Sequence, residues 1–406
     1  MRNNEMRIAI VGAGIAGLTA ASALARAGVR CEVFEQTRLL REVGAGIQIA
    51  PNAANLLHRL GLANDLGEVA IRAEALEMRR WQDGSVLRRM PLGGRSEEFF
   101  GAPYYVVHRA DLHHVLLESL PVETVRLGKR CVAIEESPEH VELFFEDGTT
   151  RVADVVVGAD GIHSVVRGNL VADAPRFSGQ TIYRGVIPAE RMPLFDDDPR
   201  VLMWLGPNRH CVCYPISGGK QISFAATAPA TDRGVESWSA EGDVAELLGA
   251  YDGWHEQVRH IIEAAPTVGR WALHDRDTAE SWSTRRSTIM GDAAHPMLPF
   301  MAQGANQAIE DAMALAACLE QASPHTTAEA LLHYAEVRKD RTNQVHRISR
   351  DNTEMLHLPD GTEQRHRDRV LSENADPRSR AWLYGYDAES AVKDNPAGLA
   401  SAPSNP

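Results

Sequence analysis

Residues 7–35 decide the fold of this chain, with the sequence RIAIVGAGIAGLTAASALARAGVRCEVFE. A short apolar run comes first, and glycines then stand at positions 12, 14 and 17. Small helix-forming residues follow as far as Gly28, and a second apolar run ends at Glu35. This order predicts a strand, a tight turn, a helix and a second strand, which is the arrangement of a dinucleotide-binding unit.

The residues of the turn have separate physical tasks. Gly12 permits the tight turn, Gly14 leaves room for phosphates, and Gly17 lets the helix pack closely on the strand. We include Ala16 among the cofactor contacts, since the unpaired amides of the first helical turn meet a pyrophosphate. Glu35, eighteen positions after Gly17, can accept hydrogen bonds from both hydroxyls of an adenosine ribose.

Composition and charge limit the classes of protein to consider. The 406 residues suffice for two lobes, and 44% hydrophobic with 24% charged residues is ordinary for a globular protein. No apolar run approaches the roughly 20 residues of a membrane span, and a net charge of −13 disfavours nucleic acid as a partner. Five scattered cysteines suit a reducing compartment. We therefore expect a cytoplasmic monomer or homodimer without a metal site.

Two later stretches also have the character of ligand sites. Residues 155–161, VVVGADG, predict a buried strand that ends in Asp160 and Gly161, where ligands bind in α/β sheets. The alternative role for Asp160 is that of a helix cap. Residues 291–307 contain Asp292 and a proline-to-glycine loop before a long helix, which presents backbone amides at a second helix N-terminus.

The intervening segments have other patterns. Alternation over 76–91 and over 177–229 predicts an antiparallel sheet in a separate lobe. The glycine-rich segment 42–52, EVGAGIQIAPN, is interpreted as a loop against the cofactor. Asp111 is expected to cap the next helix, which leaves Arg109 just ahead of it. A surface salt bridge is the alternative for Arg109.

Three separated motifs together resemble the FAD-dependent aromatic hydroxylases of the p-hydroxybenzoate hydroxylase type. They are GAGIAG at 12–17, VVVGADGIHSVVR at 155–167 and GDAAHPMLPFMAQGANQAIEDA at 291–312. Four further segments are most similar to the salicylate, 3-hydroxybenzoate and 6-hydroxynicotinate hydroxylases: GAGIQIAPN at 44–52, YRGVIPAER at 183–191, MWLGPNRHCVCYP at 203–215 and WLYGYD at 382–387.

The resemblance implies an α/β fold with an α+β second lobe. It comprises a discontinuous Rossmann-like FAD-binding domain (1–75, 100–175 and 271–320), an antiparallel-sheet substrate domain (76–99 and 176–270) and a C-terminal helical region (321–390). Residues 391–406 are expected to be a disordered tail, because the end of the chain is rich in proline, alanine and serine.

Cofactor contacts follow from the resemblance, residue by residue. Glu35 would hold the adenosine ribose, and Cys131 would touch the adenine through its backbone. Arg109 would lie beside the pyrophosphate and ribityl chain. Asp160 and Gly161 would serve both FAD and the passing nicotinamide cofactor.

The flavin end is assigned in the same way. Asp292 would bind the ribityl or phosphate region, and Gln48 would approach the isoalloxazine. The loop from Pro299 through Gly304 to Ala305 would pass the flavin ring. Its fixed amides would stabilise the anionic reduced flavin.

One dinucleotide fingerprint, occupied by FAD, implies that NADH or NADPH binds only transiently. The implied cycle is reduction by NAD(P)H, capture of O2 as the flavin C4a-hydroperoxide and transfer of OH to a small aromatic acid, with or without decarboxylation. Hydroxybenzoates, aminobenzoates and hydroxynicotinates are the expected substrates. A non-carboxylated ring, such as urate or a secondary-metabolite phenol or quinone, is the alternative, and a non-enzymatic FAD-binding protein is a third reading.

The residue that activates the ring is where this chain differs from the relatives. In salicylate and 3-hydroxybenzoate hydroxylases a histidine often precedes a Tyr-Pro pair, and here Cys213 has that position. The 6-hydroxynicotinate enzymes share the spacing of His210 and Tyr214 but have histidines in place of Gln48 and Phe300.

Strand alternation places His210, Val212 and Tyr214 on one face and the neighbouring cysteines on the other. A phenol loses its proton near roughly pH 10, so His210 and Tyr214 are expected to take or relay that proton. A structural histidine at a sheet edge is the alternative for His210. The catalytic candidates are His210, Tyr214 and Pro299, and the expected substrate contacts are Gln48, Met203, His210, Tyr214 and Phe300.

Overall fold

The computed structural model describes residues 6–40, 45–192, 194–195, 198–230 and 241–395. The strands are, in chain order, Ile8–Val11 (β1), Cys31–Glu35 (β2), Gly46–Ile49 (β3), Ile71–Arg72 (β4), Ala75–Arg80 (β5), Val86–Pro91 (β6), Tyr105–His108 (β7), Val125–Leu127 (β8), Cys131–Glu136 (β9), Val141–Phe145 (β10), Thr150–Ala153 (β11), Val155–Gly158 (β12), Arg176–Pro188 (β13), Arg200–Gly206 (β14), Arg209–Ile216 (β15), Gln221–Pro229 (β16), Glu241–Gly242 (β17), Val268–Asp275 (β18) and Ser287–Ile289 (β19).

The helices are Ile15–Arg26 (α1), Pro51–Arg59 (α2), Ala63–Val69 (α3), Gly93–Phe100 (α4), Arg109–Glu118 (α5), Val165–Gly168 (α6), Val244–Ala250 (α7), Glu256–Ala264 (α8), Gly304–Leu319 (α9), Thr327–Leu356 (α10), Thr362–Glu373 (α11), Ala381–Tyr384 (α12) and Ala388–Asp394 (α13). No helix in the described ranges is both long and apolar enough to cross a membrane.

A five-stranded parallel sheet, in the order β19-β12-β1-β2-β8, forms the first lobe. Every residue of β1 and β12 is buried, as expected for strands covered on both faces. The strand–turn–helix–strand order predicted over residues 7–35 is confirmed. The glycine turn and Asp160 both follow the carboxyl ends of neighbouring strands, so they lie at one edge of the sheet.

An eight-stranded sheet forms the second lobe, in the order β17-β18-β13-β16-β15-β14-β5-β6. Its pairs are antiparallel except β14 with β5, which run parallel. The predicted antiparallel sheet is therefore present. Its strand β18 continues to Asp275, five residues past the boundary expected after residue 270.

Three local expectations need correction. The cap of α5 is His108, whose Nδ1 accepts the Ala110 N–H at 3.1 Å, so Asp111 lies inside the first turn and Arg109 begins the helix. Residues 46–49 form a strand and not a loop, because they pair with the edge that β7 offers. Residues 42–44 of that segment lie outside the described ranges.

Glycines divide two helical stretches. Residues 51–69 and 244–264 each form two helices, because Gly61 and Gly253 adopt φ of +87° and +73° between them. Residues 391–394 are helical in α13 and not part of a disordered tail. The tail residues 396–406 lie outside the described ranges.

Candidate active site

The glycine turn encloses a space at the N-terminus of α1. A Cβ on Gly12, whose φ is +103°, would lie 2.4 Å from the Ala159 carbonyl oxygen, and one on Gly17 would lie 1.9 Å from the Gly12 carbonyl oxygen. A Cβ on Gly14 would meet no atom within 4 Å in the described part of the chain. Among those residues no side chain caps α1, so its first amides face this space. Backbone N–H groups beside open space suit a diphosphate.

Glu35 holds the turn itself. One carboxylate oxygen accepts the Ala13 N–H at 2.9 Å, and the other accepts the Thr37 N–H at 2.8 Å. His113, which the sequence analysis missed, donates from Nε2 to the Ala13 carbonyl oxygen at 2.7 Å. Each carboxylate oxygen of Glu35 retains a lone pair that a ribose hydroxyl can use.

Asp160 hydrogen-bonds to the beginning of α6, whose N-cap residue is Ser164. Its carboxylate accepts the Ser164 hydroxyl and the Val165 N–H, the latter at 2.8 Å. Burial nevertheless raises its pKa above the ordinary value. Burial, followed by the charge of Asp160, raises the pKa of Cys131 to about 11, which places this thiol near that carboxylate. Gly161 follows with φ of +78°.

Asp292 lies in a cleft. Its side chain is exposed, yet the surrounding protein desolvates it enough to raise its pKa, against the charges of His295 and Arg109. A Cβ on Gly304 would lie 4.0 Å from an Asp292 carboxylate oxygen. Because α9 begins at Gly304, earlier than the expected Gln307, its first amides and Ala305 also lie beside this carboxylate. The positive charge of Arg109 thus acts on the Asp292 carboxylate.

A buried ionic network fixes the loop that carries Asp292. Asp311 accepts the Gly291 N–H at 2.9 Å, binds His295 Nε2 at 2.5 Å and accepts Arg338 Nε at 2.8 Å. Burial raises the pKa of Asp311, but the charges of His295 and Arg338 outweigh it and hold the value at about 2. Arg167 adds hydrogen bonds to two backbone carbonyls of the same loop. These hydrogen bonds therefore fix the backbone of the loop that carries Asp292.

The second lobe meets the cleft through β3. Gln48 accepts the Tyr104 hydroxyl at 2.7 Å, and the Gly46 N–H donates to Ser223 Oγ at 2.7 Å. A Cβ on Gly46 would lie 2.4 Å from the Tyr214 ring. Burial raises the pKa of Tyr214 to about 12, against the charge of Arg184 and hydrogen bonding to Gln48 and Ser223. Tyr214 therefore keeps its proton at neutral pH.

The predicted register of β15 is confirmed. Cys211 and Cys213 pack into one core with Trp204 and Phe224, whereas Val212 and Tyr214 face the other core, which contains Tyr104. Met203 stands opposite Val212 on β14. The expected substrate contacts on β14 and β15 thus lie on the face that β3 covers.

His210 lies on an interior strand of the eight-stranded sheet and not at a sheet edge. Its Nδ1 lies 2.8 Å from Nε2 of His357 and 3.2 Å from Thr227 Oγ1. Its ring meets Phe300 edge-on with centroids 5.4 Å apart. Burial and the charge of His357 lower the pKa of His210 well below its ordinary value, so the imidazole is neutral.

His357, at the end of α10, has no sequence spacing that relates it to His210. Its pKa is lowered to about 4 by burial and by the charges of Arg209 and Arg367. Its Nδ1 is buried and has no hydrogen-bond partner among the described residues. In the short Nδ1–Nε2 contact one histidine must donate and the other accept, so the pair shares one proton.

Pro299 and Phe300 belong to one tight turn, Pro299–Met301, which ends at Ala302 with φ of +52°. The turn places the Phe300 ring against both histidines, 5.4 Å from His210 and 5.6 Å from His357. It also leads into the amides of α9 next to Asp292. The chain between Pro299 and Ala305 therefore joins the cofactor cleft to the His210 face.

Comparison with known proteins agrees with this architecture. Residues 5–349 match the family model described as FAD binding domain. The chain is 49% identical over 389 residues to a 3-amino-4-hydroxybenzoate 2-monooxygenase of Streptomyces cremeus, covering 96% of this chain and 97% of the relative. It is 35% identical over 392 residues to a 6-hydroxynicotinate 3-monooxygenase of Pseudomonas fluorescens, covering 94% of this chain and 95% of that protein.

Among solved structures, a salicylate hydroxylase in complex with its substrate superposes with a TM-score of 0.82 at 26% identity. That match covers 98% of this chain and 99% of the other. The overall fold is thus shared over nearly the whole length of both chains. The chain belongs to the FAD-dependent aromatic hydroxylases, the flavoprotein monooxygenases with one FAD-binding domain.

Proposed function

We propose that this protein uses NAD(P)H and O2 to hydroxylate a small aromatic acid that carries a phenol, with 3-amino-4-hydroxybenzoate as the first candidate. The His210–His357 pair, with its short contact of 2.8 Å against the ring of Phe300, is the observation that carries the proposal. A neutral imidazole beside an aromatic wall has a nitrogen lone pair that can accept or relay the proton of a phenol. The relative at 49% identity is named for that aminohydroxybenzoate.

The cofactor role of the first lobe is supported by the donor set. The space at Gly14, the amides of α1 and the carboxylate of Glu35 fit the diphosphate and ribose of FAD. Asp292 and the first amides of α9 fit its ribityl and ring end. Bound FAD supplies the electron transfer and oxygen activation, which no side chain of this protein can provide.

His210 and Tyr214 prepare the ring in this proposal. Because Nδ1 of His210 is engaged with His357, Nε2 is the nitrogen that accepts the phenol proton. Through the hydrogen bond between the two rings, His357 shares the positive charge that His210 gains when it accepts the proton. Tyr214, which stays protonated, donates to a substrate oxygen and fixes the orientation of the ring.

A substrate panel tests the function. The purified holoprotein is given NADH or NADPH with 3-amino-4-hydroxybenzoate, 3-hydroxybenzoate or 6-hydroxynicotinate, and both NAD(P)H oxidation and hydroxylated product are measured. We expect at least one acid to stimulate oxidation with stoichiometric product. Stimulation by urate or a non-carboxylated phenol alone would support the other substrate class instead. No stimulation by any ring would favour a non-enzymatic FAD-binding protein.

A further inference from the structure

A buried arginine without a counter-ion stands at the far edge of the substrate-facing sheet. Arg88 on β6 is 5% exposed, and its Nε has no hydrogen-bond partner within the described ranges. Among the described residues, the hydrogen-bond partner of its Nη2 is the Met90 sulfur, at 3.3 Å. No carboxylate of the described residues lies within ion-pair distance of it. An unpaired buried cation is costly, so this guanidinium calls for an anion.

A second arginine reinforces this demand. Burial lowers the pKa of Arg88, and the positive charge of Arg380 lowers it further, against an opposing effect of Tyr384. Arg380 ends the turn Pro377–Arg380 just before α12, and it too forms no ion pair with any described residue. Two like charges close enough to influence each other, neither paired with a carboxylate of the described residues, favour a small anion between them.

The walls of this site suit an aromatic ring. The Tyr384 ring meets Phe100 and Tyr104 edge-on, with centroids 5.6 Å and 5.9 Å apart. Met90 and Leu92 belong to the same buried cluster. Tyr104 in turn donates to Gln48, so the arginines are connected through two phenols to the region of Tyr214.

Strand register places Arg88 in line with the catalytic face. Arg88 stands opposite Met78, Met78 opposite Met203, and Met203 opposite Val212. Directly opposite residues point to the same face of a sheet. Three strand spacings, about 14 Å, separate β6 from β15.

We propose that Arg88 and Arg380 bind the carboxylate of the aromatic substrate, while Tyr384 and Tyr104 contact its ring. This inference rests on the proposed function. It adds two specificity-determining residues that lie outside the motifs shared with the family. Guanidinium groups bind carboxylates in a bidentate geometry that an amide side chain cannot reproduce.

The test compares an acid with its carboxamide. For Arg88→Gln we expect KM for the hydroxylated acid to rise roughly 10- to 100-fold, while KM for the carboxamide and NAD(P)H oxidation without substrate stay unchanged. Arg380→Gln should show a smaller rise of the same kind, and it keeps the test valid if Arg88→Gln does not fold. Arg88→Lys should restore part of the affinity.

Arg89→Gln is the matched control. Arg89 is the next residue on β6, its side chain is 46% exposed, and it pairs with Glu77 and Asp198. KM should not change in this variant. Equal acid-to-amide ratios in wild type, Arg88→Gln and Arg380→Gln would overturn the inference while leaving the hydroxylase function intact. A rise in KM confined to Arg184→Gln, a variant of the arginine whose charge acts on Tyr214, would also overturn the inference. A wild type that hydroxylates no aromatic acid would instead refute the proposed function.

Discussion

The proposed cofactor end and the proposed substrate face of this protein are built from different kinds of groups. At the glycine turn the ligand-facing groups are backbone amides, and their positions follow from three glycines within six residues. At the substrate face they are side chains from β15, the Pro299 turn and the end of α10, with His210 and His357 separated by 147 residues. Backbone sites are therefore local in sequence, while this side-chain site depends on tertiary packing.

The largest effect should come from breaking the glycine turn, which separates folding from binding. Gly14→Val places its side chain in open space, so the apoprotein should melt near the wild-type temperature but purify without FAD. Gly17→Ala, in contrast, forces a Cβ against the Gly12 carbonyl oxygen, so its free energy of unfolding should fall by about 1–3 kcal/mol or more. Melting curves and flavin absorbance measure both. Full FAD occupancy in Gly14→Val would remove the cofactor assignment.

A change on the substrate face should leave the cofactor bound. His210→Ala should still oxidise NAD(P)H but release peroxide, with hydroxylation reduced about 10²- to 10⁴-fold because the proposed general base is removed. Product and peroxide are quantified in the same reaction. Cys213→Ala is the control, since Cys213 packs into the opposite core. Uncoupling by Cys213→Ala with a coupled His210→Ala would place the base on the other face.

The histidine pair should leave a signature in the pH dependence of stability. The pKa of His357 is lowered from 6.5 to about 4 in the folded protein. Between these pH values the unfolded chain therefore binds more protons than the folded protein. The free energy of unfolding consequently falls as the pH is lowered through this window. The full shift corresponds to about 3 kcal/mol.

The free energy of unfolding of His357→Gln should consequently fall less steeply than that of wild type between pH 7 and pH 4.5. Urea titrations at both pH values give the slope. His114→Gln serves as control, because the side chain of His114 is 66% exposed. Identical slopes for wild type and His357→Gln would show that His357 is not held neutral.

The smallest effect is expected at Glu35, whose side chain both holds the backbone of the glycine turn and can bind the ribose. Glu35→Ala removes the acceptors for two backbone N–H groups and for the ribose, without introducing a clash. The dissociation constant of FAD should rise roughly 10-fold, as for a few lost hydrogen bonds. Glu35→Gln keeps one acceptor oxygen, so its dissociation constant for FAD should lie between those of the wild type and Glu35→Ala. An FAD affinity unchanged in both variants would exclude a ribose contact.

What the sequence predicts follows the same division. The βαβ unit, the β15 register and the strand pair at 76–91 were predictable, because alternation and glycine spacing are local signals. His357, His113 and Arg88 gave no such signal, since each acquires its partners or its isolation only after distant elements pack. The cap at His108 was missed because Asp111 is the more usual capping residue, and the imidazole Nδ1 serves instead.

The division of labour between the two regions is tested most directly by comparing Asp292→Ala with Tyr214→Phe in one assay. NAD(P)H oxidation is measured without substrate, and the ratio of hydroxylated product to NAD(P)H consumed is measured with 3-amino-4-hydroxybenzoate. We predict that Asp292→Ala impairs flavin binding or the substrate-free oxidation, whereas Tyr214→Phe leaves that oxidation nearly unchanged and lowers the product ratio. Equal loss of both quantities in both variants would contradict the separation of a cofactor end from a ring-activating face.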